Sequence, residues 1–302
     1  MARVLASDGM DALAVKTLEE AGYEVVQEFY EPAQLTEEVK KYDVLVVRSA
    51  TKVREPIIDA AAEAGQLKLI IRGGVGVDNI DVAYAESKGI KVRNTPAASS
   101  ASVAEMVIGH MFAISRYIAA ANVSMRQGKW EKKKYKGVEI GGKTLGIIGI
   151  GRIGQEVAKR AAALGMTVIY TDVMGANASL PYTFVSQDEI FAQADYITMH
   201  IPAAKDAQPL INAENIAKMK DGVYLINTAR GVLVDEDALC DALESGKVAG
   251  AALDVYNEEP CRNERLLSQP NVSLTPHVGA STKEAQKRIG EETVSIIRGM
   301  FG

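Results

Sequence analysis

LGIIGIGRIGQEVA, residues 145–158, decides how the middle of this chain folds. Gly149, Gly151 and Gly154 form a G-x-G-x-x-G pattern directly after the apolar stretch TLGIIGI and directly before QEVAKRAAALG. The second stretch reads as a helix closed by Gly165, and MTVIYTD follows as another strand. Strand, glycine turn, helix and strand together are the setting in which this spacing cradles a dinucleotide rather than merely turning the chain. Gly149 permits the tight turn, Gly151 lets backbone approach a pyrophosphate, and Gly154 lets helix and strand pack closely. The helix N-terminus then offers free N–H groups to phosphate oxygens. Asp172 closes the second strand 18 positions beyond Gly154. Its carboxylate can accept hydrogen bonds from both ribose hydroxyls, whereas a 2′-phosphate would meet a like charge. Val173 and Met174 supply no compensating arginine, so NAD is expected rather than NADP.

Composition bounds the rest. The chain has 302 residues, 47% hydrophobic and 24% charged, with a net charge of -5. That is an ordinary globular balance, long enough for two domains, and it lacks the basic excess of a nucleic-acid binder. No apolar run reaches membrane-spanning length, and the N-terminal residues lack a basic-then-apolar leader pattern. The 2 cysteines, Cys240 and Cys261, stand far apart, which suggests neither a metal site nor a disulfide framework. A reducing cytoplasm is the expected setting.

RVLAS, YEVVQ, YDVLVVRS, LKLIIRG and IKVRN read as strands, most of them separated by helix-like stretches. Their continuous rather than alternating apolar character is that of strands buried on both faces, as in a parallel sheet. After Pro96 ends the last of these, Ser99 or Ser100 can cap one long apolar helix running to about Gln127. A second series follows: KTLGIIGIG, MTVIYTD, ADYITMHIP, GVYLINTA, GAALDV and NVSLTP, then a final helix KEAQKRIGEETVSIIRGMF. The expectation is an α/β protein with two doubly wound parallel sheets.

Hydride chemistry needs a proton donor beside the reacting carbon. Of three histidines, His110 lies within an apolar helix and reads as a core or interface residue. His200 ends a strand before Ile201 and Pro202 and suits the wall of a cofactor pocket. His277 follows a strand at the carboxyl end, where α/β sites are built, and is the best acid/base candidate. Arg230 also follows a strand, and a guanidinium can hold a carboxylate through two parallel hydrogen bonds. Glu258 and Glu259 precede Pro260; either carboxylate can bond an imidazole and fix its tautomer, or simply face solvent.

Four stretches in order, LGIIGIGRIGQEVA, INTARGVLVDEDAL, AALDVYNEEP and TPHVGAST, resemble the D-2-hydroxyacid dehydrogenases. VVRSATKV, GVGVDNID and GKWEKKKYKG are similar to the phosphoglycerate dehydrogenase branch. The resemblance covers nearly the whole chain. It implies a catalytic set of Arg230, Glu259 and His277, in which His277 moves the proton, Glu259 polarises it and Arg230 binds the α-carboxylate. It implies cofactor contacts from Arg152, Ile153, Asp172, Thr228, Ala229, Asp254, Gly279 and Ala280. It implies substrate contacts from Arg48 and from the backbone around Gly74, Val75 and Gly76. The implied architecture is discontinuous: residues 1–95 and 283–302 form a flavodoxin-like substrate domain, and 96–282 a Rossmann-type NAD domain, with the site in the cleft between. Relatives pair as homodimers through the long helix, which suits the apolar run from Val103 to Ala121. The branch implies NAD-dependent oxidation of D-3-phosphoglycerate at the start of serine synthesis.

Two positions depart from the branch. Val75 stands where a hydroxyl residue is common, and Ile201 replaces a common threonine; each removes one hydrogen bond and no chemistry. A regulatory domain beyond Gly302, and serine feedback through one, are not expected. A triply charged substrate would need Arg48, Arg72, Arg230 or the run Lys132 to Lys134 as counter-charges, although such a lysine run is more often a solvated face. The alternatives are a reductase for another small 2-oxo acid, such as glyoxylate or hydroxypyruvate, and an NAD-sensing corepressor with the same fold.

Overall fold

The computed structural model describes residues 2–203 and 208–302. Two compact units share the chain, one comprising the residues up to Ser99 together with Ala280–Gly302, the other Ser100–Gly279. The divisions fall four residues later and three residues earlier than 95/96 and 282/283.

The first unit alternates β1 (Arg3–Ala6), α1 (Ala12–Glu20), β2 (Glu24–Val26), α2 (Pro32–Glu38), β3 (Val44–Val47), α3 (Glu55–Ala64), β4 (Leu69–Arg72), α4 (Val82–Ser87) and β5 (Lys91–Asn94). Its strands pair in parallel in the order β2-β1-β3-β4-β5, the flavodoxin-like doubly wound order. In β1, β3 and β4 successive side chains feed two different cores, which is why these strands read as unbroken apolar runs, whereas the edge strands β2 and β5 expose Glu24, Lys91 and Arg93. Leu5, Leu45, Val47 and Ile70 pack with Ile57, Ile58 and Ala61 of α3. Val4, Val44, Val46, Leu69 and Ile71 pack on the other face with Ala14 and Leu18 of α1.

The second unit opens with α5 (Ser100–Arg116) and α6 (Ile118–Arg126). It continues through β6 (Thr144–Ile148), α7 (Arg152–Ala163), β7 (Thr167–Thr171), β8 (Thr183–Phe184), α8 (Gln187–Gln193), β9 (Tyr196–Met199) and α9 (Ala213–Lys218). β10 (Val223–Asn227), α10 (Glu236–Ser245), β11 (Val248–Leu253), α11 (Glu264–Leu267) and β12 (Val272–Leu274) complete it. The parallel sheet runs β8-β7-β6-β9-β10-β11-β12, the Rossmann order extended by one strand. The chain then returns to the first unit as α12 (Lys283–Phe301), whose Val294 and Ile297 join the core around α1. Gly290 permits that approach, since a Cβ there would come within 2.7 Å of the Ala14 Cβ.

One expected element is different. The single helix read from Ser99 or Ser100 to about Gln127 is two helices bent by 65°. Tyr117 takes φ 54 at the break, and the carbonyl of Ser115, which a continuous helix would offer to residue 119, accepts the N–H of Val138 at 3.0 Å. A returning segment of chain thus competes for the helix's own acceptor. The apolar run divides accordingly. Ala104, Val107, Met111 and Ile114 are buried against β6 and α7, while Ile118, Val123 and Met125 of α6 are exposed. No single described helix is long and apolar enough to cross a membrane; α5 and α6 pass that test only as a bent pair.

Candidate active site

The order of the larger sheet reverses between β6 and β9, and the glycine turn lies at the carboxyl end of β6, where an open α/β sheet leaves a crevice. Each glycine there answers a different demand. Gly149 has φ 94, and a Cβ on it would sit 2.6 Å from Ile201 Cγ2 and 2.7 Å from the His200 carbonyl oxygen. The tail of β9, His200 and Ile201, therefore passes against the turn. A Cβ on Gly154 would strike the carbonyl of Gly149. A Cβ on Gly151 would meet nothing within 4 Å.

These residues fit a dinucleotide. Gly151 begins α7 without any side-chain cap, leaving the first-turn N–H groups of Arg152, Ile153 and Gly154 for phosphate oxygens. The Thr228 hydroxyl, at the end of β10, is buried with no hydrogen-bond partner among the described residues, an exception that calls for an external partner. Asp172 follows β7 with one carboxylate oxygen accepting the Ile150 N–H at 2.8 Å and the other the Met174 N–H at 2.9 Å. Each oxygen keeps a lone pair, so the acid both anchors the glycine turn and can still receive hydroxyls. His200 bonds the Thr198 hydroxyl at 3.1 Å through Nε2. Burial drives its imidazole down to about 3, so it is neutral under ordinary conditions. Pro202 follows it at the surface.

The loops after β10, β11 and β12 bring the expected catalytic residues together. Asn227, the last residue of β10, accepts the Ala229 N–H at 3.0 Å and donates to the Arg230 carbonyl at 2.8 Å, fixing the turn that carries Arg230. Gly231 permits close approach to the next loop, because a Cβ there would overlap the Tyr256 carbonyl. That loop supplies Glu259, whose Oε2 lies 2.8 Å from His277 Nδ1 and whose Oε1 accepts the Tyr256 N–H at 3.3 Å. Burial opposes the Glu259 charge, but the bond and charge of His277, the Tyr256 N–H and the Arg230 charge outweigh it. Its carboxyl is held below the usual range. The alternative between the two glutamates is thereby decided, since Glu258 faces Arg262 at 3.8 Å. An ionised carboxylate only accepts, so Nδ1 carries a proton and Nε2 is left for a substrate.

His277 takes φ 52, a left-handed conformation that costs a non-glycine residue about 1–3 kcal/mol. Asp254 holds it there. Its carboxylate, 1% exposed, accepts the Thr275 hydroxyl at 2.6 Å, the Val278 N–H at 2.9 Å and the Gly279 N–H at 2.8 Å. A cavity of about 540 Å³ beside the pair is lined by Tyr256, Pro260, Cys261, Leu267, Leu274 and Pro276 as well as Glu259 and His277.

Arg48, Gly74, Val75, Gly76 and Ala280 belong to the first unit. Arg48 follows β3, and the loop it starts is bound by Asp8, which accepts the Arg48 N–H at 2.6 Å, the Thr51 N–H at 3.1 Å and the Thr51 hydroxyl at 2.6 Å. Asn79 donates to the carbonyls of Arg48 and Thr51, both at 2.7 Å. Gly74 has φ 150, and a Cβ on it would run into the Arg72 guanidinium. The Val75 carbonyl accepts from Asn94 at 2.5 Å, and that of Ala280 from Gln286 at 3.0 Å. Lys132 and Lys133 are exposed, and Lys134 pairs with Glu131 at 3.9 Å. Asp8, Asn79, Asn227 and Thr275 were not singled out in the sequence; their one advance signal is position, each at or just beyond a strand end or in a tight loop.

A family model described as D-isomer specific 2-hydroxyacid dehydrogenase, NAD binding domain, matches residues 108–279. The chain belongs to that family. Its cofactor is NAD. The chain is 50% identical over 299 residues to a hydroxypyruvate reductase of Thermotoga maritima, covering 98% of this chain and 97% of that protein. It is 46% identical over 307 residues to a D-3-phosphoglycerate dehydrogenase of Methanocaldococcus jannaschii, covering 99% of this chain but only 58% of that protein. Among solved structures it is similar to a D-lactate dehydrogenase from Aquifex aeolicus complexed with NAD and lactic acid. The TM-score is 0.85 at 31% identity, over 99% of this chain and 95% of that one.

Proposed function

We propose that this protein moves a hydride between NAD and a small D-2-hydroxy acid, with His277 as proton acceptor and donor. The observation that carries the reading is the Glu259–His277 contact at 2.8 Å, with Nδ1 engaged and Nε2 left over. In oxidation, His277 Nε2 takes the proton of the C2 hydroxyl as the C–H bond breaks, leaving a 2-oxo acid and an imidazolium. The bound nicotinamide supplies the hydride acceptor. Glu259 offsets the charge that forms on the ring. Arg230 holds the substrate's α-carboxylate through paired hydrogen bonds, and Arg48 with the N–H groups around Gly74, Val75 and Gly76 adds further anion contacts. Gly149, Gly151, Arg152, Ile153 and Gly154 receive the pyrophosphate and Asp172 the ribose. His200, Ile201, Pro202, Thr228, Ala229, Asp254, Gly279 and Ala280 complete the cofactor contacts in this reading.

The substrate we favour is D-3-phosphoglycerate, which would set the reaction at the start of serine synthesis in the cytoplasm. The Methanocaldococcus relative and the cations Arg48 and Arg72 beside the Gly74 turn support it. Hydroxypyruvate is the second reading, favoured by the Thermotoga reductase, which matches along almost its whole length. Steady-state rates decide. NAD reduction faster with 3-phosphoglycerate than with glycerate or lactate supports the first reading. NADH oxidation by hydroxypyruvate without turnover of 3-phosphoglycerate supports the second. No turnover with any 2-hydroxy or 2-oxo acid rejects both. Exposed Ile118, Val123 and Met125 on α6 support a homodimer, which sedimentation tests.

A further inference from the structure

We propose that His110 and Thr275 are positioning residues for His277, acting through the buried carboxylate of Asp254. The inference rests on His277 as the proton-transfer residue.

The hydrogen bonds fix their own directions. The Thr275 hydroxyl has one proton and gives it to Asp254 Oδ1 at 2.6 Å, because an ionised carboxylate only accepts. Toward His110 Nε2, 3.1 Å away, the same oxygen must therefore accept. His110 thus carries its proton on Nε2, and its Nδ1 receives the Ser273 hydroxyl at 3.0 Å. Burial holds the ring neutral, with the Asp254 charge opposing only in part. The result is one unbroken chain, Ser273 to His110 to Thr275 to Asp254, with one tautomer throughout. Ser273 and Thr275 are two residues apart, on the same side of the β12 segment, so α5 grips that segment at two points through a single ring.

The far end of the chain falls on the proton-transfer residue. The three donors on Asp254 come from Thr275, Val278 and Gly279, on both sides of His277. Gly279 is tight against this carboxylate: a Cβ there would lie 3.0 Å from Asp254 Oδ2 and 3.4 Å from Val103 Cγ2. A histidine with φ 52 has no intrinsic preference for that state, so the clamp must supply it. Thr275 places the Asp254 oxygen, and His110 places Thr275. Neither touches a reacting atom.

The test uses Thr275→Val, Thr275→Ser and His110→Phe in the full chain. The readouts are the single-turnover rate of NADH formation, KM for the acid substrate, NADH affinity and amide exchange at Val278 and Gly279. Thr275→Val and His110→Phe should each slow the single-turnover rate about tenfold, the size of one buried hydrogen bond. KM and NADH affinity should stay within about twofold, and exchange at the two amides should rise. Thr275→Ser, which keeps the hydroxyl, should restore the rate. If Thr275→Val lowers the melting temperature but leaves rate and exchange at wild-type values, the two residues are merely structural and the proposal fails. Should Thr275→Val not fold, His110→Phe decides by the same readouts. Absence of turnover in the wild-type protein would reject the role of His277 itself, and amide exchange in His110→Phe would then decide the clamp alone.

Discussion

Replacing Gly151 by alanine separates a phosphate cradle from a tight turn. Gly149 and Gly154 are glycine for reasons internal to the fold, because a methyl group on either would meet backbone. Gly151 has φ -64 and ψ -163, open to any residue, and its missing Cβ points into empty space. Without ligand, Gly151→Ala should be as stable as wild type, or more stable by about 0.4–1 kcal/mol through the less flexible unfolded chain. With ligand the methyl stands where the pyrophosphate must approach the backbone. Overpacking of that kind costs about 1–3 kcal/mol, which weakens the complex roughly 5- to 150-fold. Thermal or urea unfolding with and without NADH reads both terms. At a concentration one hundred times the wild-type Kd, NADH should stabilise the wild type by about 2.7 kcal/mol and the variant by only about 0.3–1.8 kcal/mol. Gly154→Ala is the internal contrast, losing about 1–3 kcal/mol with no ligand present. If Gly151→Ala binds NADH like wild type, or loses stability when unliganded, the cradle reading of this turn is refuted.

Other substitutions probe the remaining groups. His277→Asn should lower turnover about 10²- to 10⁴-fold, the usual worth of a general acid or base, with NADH affinity within about twofold; retained turnover moves the proton elsewhere. Asp172→Ala should weaken NAD about tenfold or more, through the loss of charge-assisted bonds, and narrow the preference for NAD over NADP. An unchanged ratio would show that Asp172 does not read the ribose. His200, whose folded value is pushed down to about 3, is protonated first in the unfolded chain. Stability should therefore fall as pH drops below about 6.5, with a slope of up to about 1.4 kcal/mol per pH unit from this residue. His200→Gln should flatten that slope in urea titrations between pH 6 and 4, and an equal slope would remove His200 from the account. Glu259, held below the usual carboxylate range, contributes stability that is present above its unfolded value and lost as pH falls through its folded one. Glu259→Gln should therefore flatten the decline only at the acid end of that titration.

The inner strands were legible because they are covered on both faces, so burial leaves an unbroken apolar signature: Val44 to Val47 is buried residue by residue. The glycine turn was legible because backbone geometry restricts the residue types allowed there. The break at Tyr117 was not, since its cause lies 21 residues away, where Val138 takes the Ser115 acceptor. No local periodicity records such a competition. β8, of two residues, is too short to carry a pattern. Within the site, residue type pointed to Arg230 and His277 but did not separate Glu258 from Glu259, because neighbouring residues have the same chemistry and different directions. The family resemblance pointed to Glu259, and the structure sets Glu259 against His277 and Glu258 against Arg262. His110 shows the same limit from the other side. An apolar helix around it suggests core packing, and it is indeed buried, yet what matters is the pair of hydroxyls on β12 that it bonds.

Those hydroxyls lead to a device that recurs in both units. Loops at the carboxyl ends of strands have no ladder partners, so their N–H groups must find acceptors elsewhere or stay wet and mobile. Here a strand-end acid supplies the acceptor: Asp8 for the loop that carries Arg48, Asp172 for the glycine turn, Asp254 for the turn that carries His277. A carboxylate suits this task because it can take several N–H donors at once, and charge-assisted bonds are about twice as strong as neutral ones. An acid after a strand is then ambiguous by nature, since holding a loop and meeting a ligand call for the same residue in the same place. Solvent access separates the two roles. Asp254 is 1% exposed, its charge committed to its own chain, whereas Asp172 remains partly open beside the space over Gly151. The carboxylate that reads a ligand should be the one whose removal changes ligand preference more than fold. By that standard, removing Asp172 should change cofactor preference first, whereas removing Asp254 should first loosen the backbone that it holds around His277.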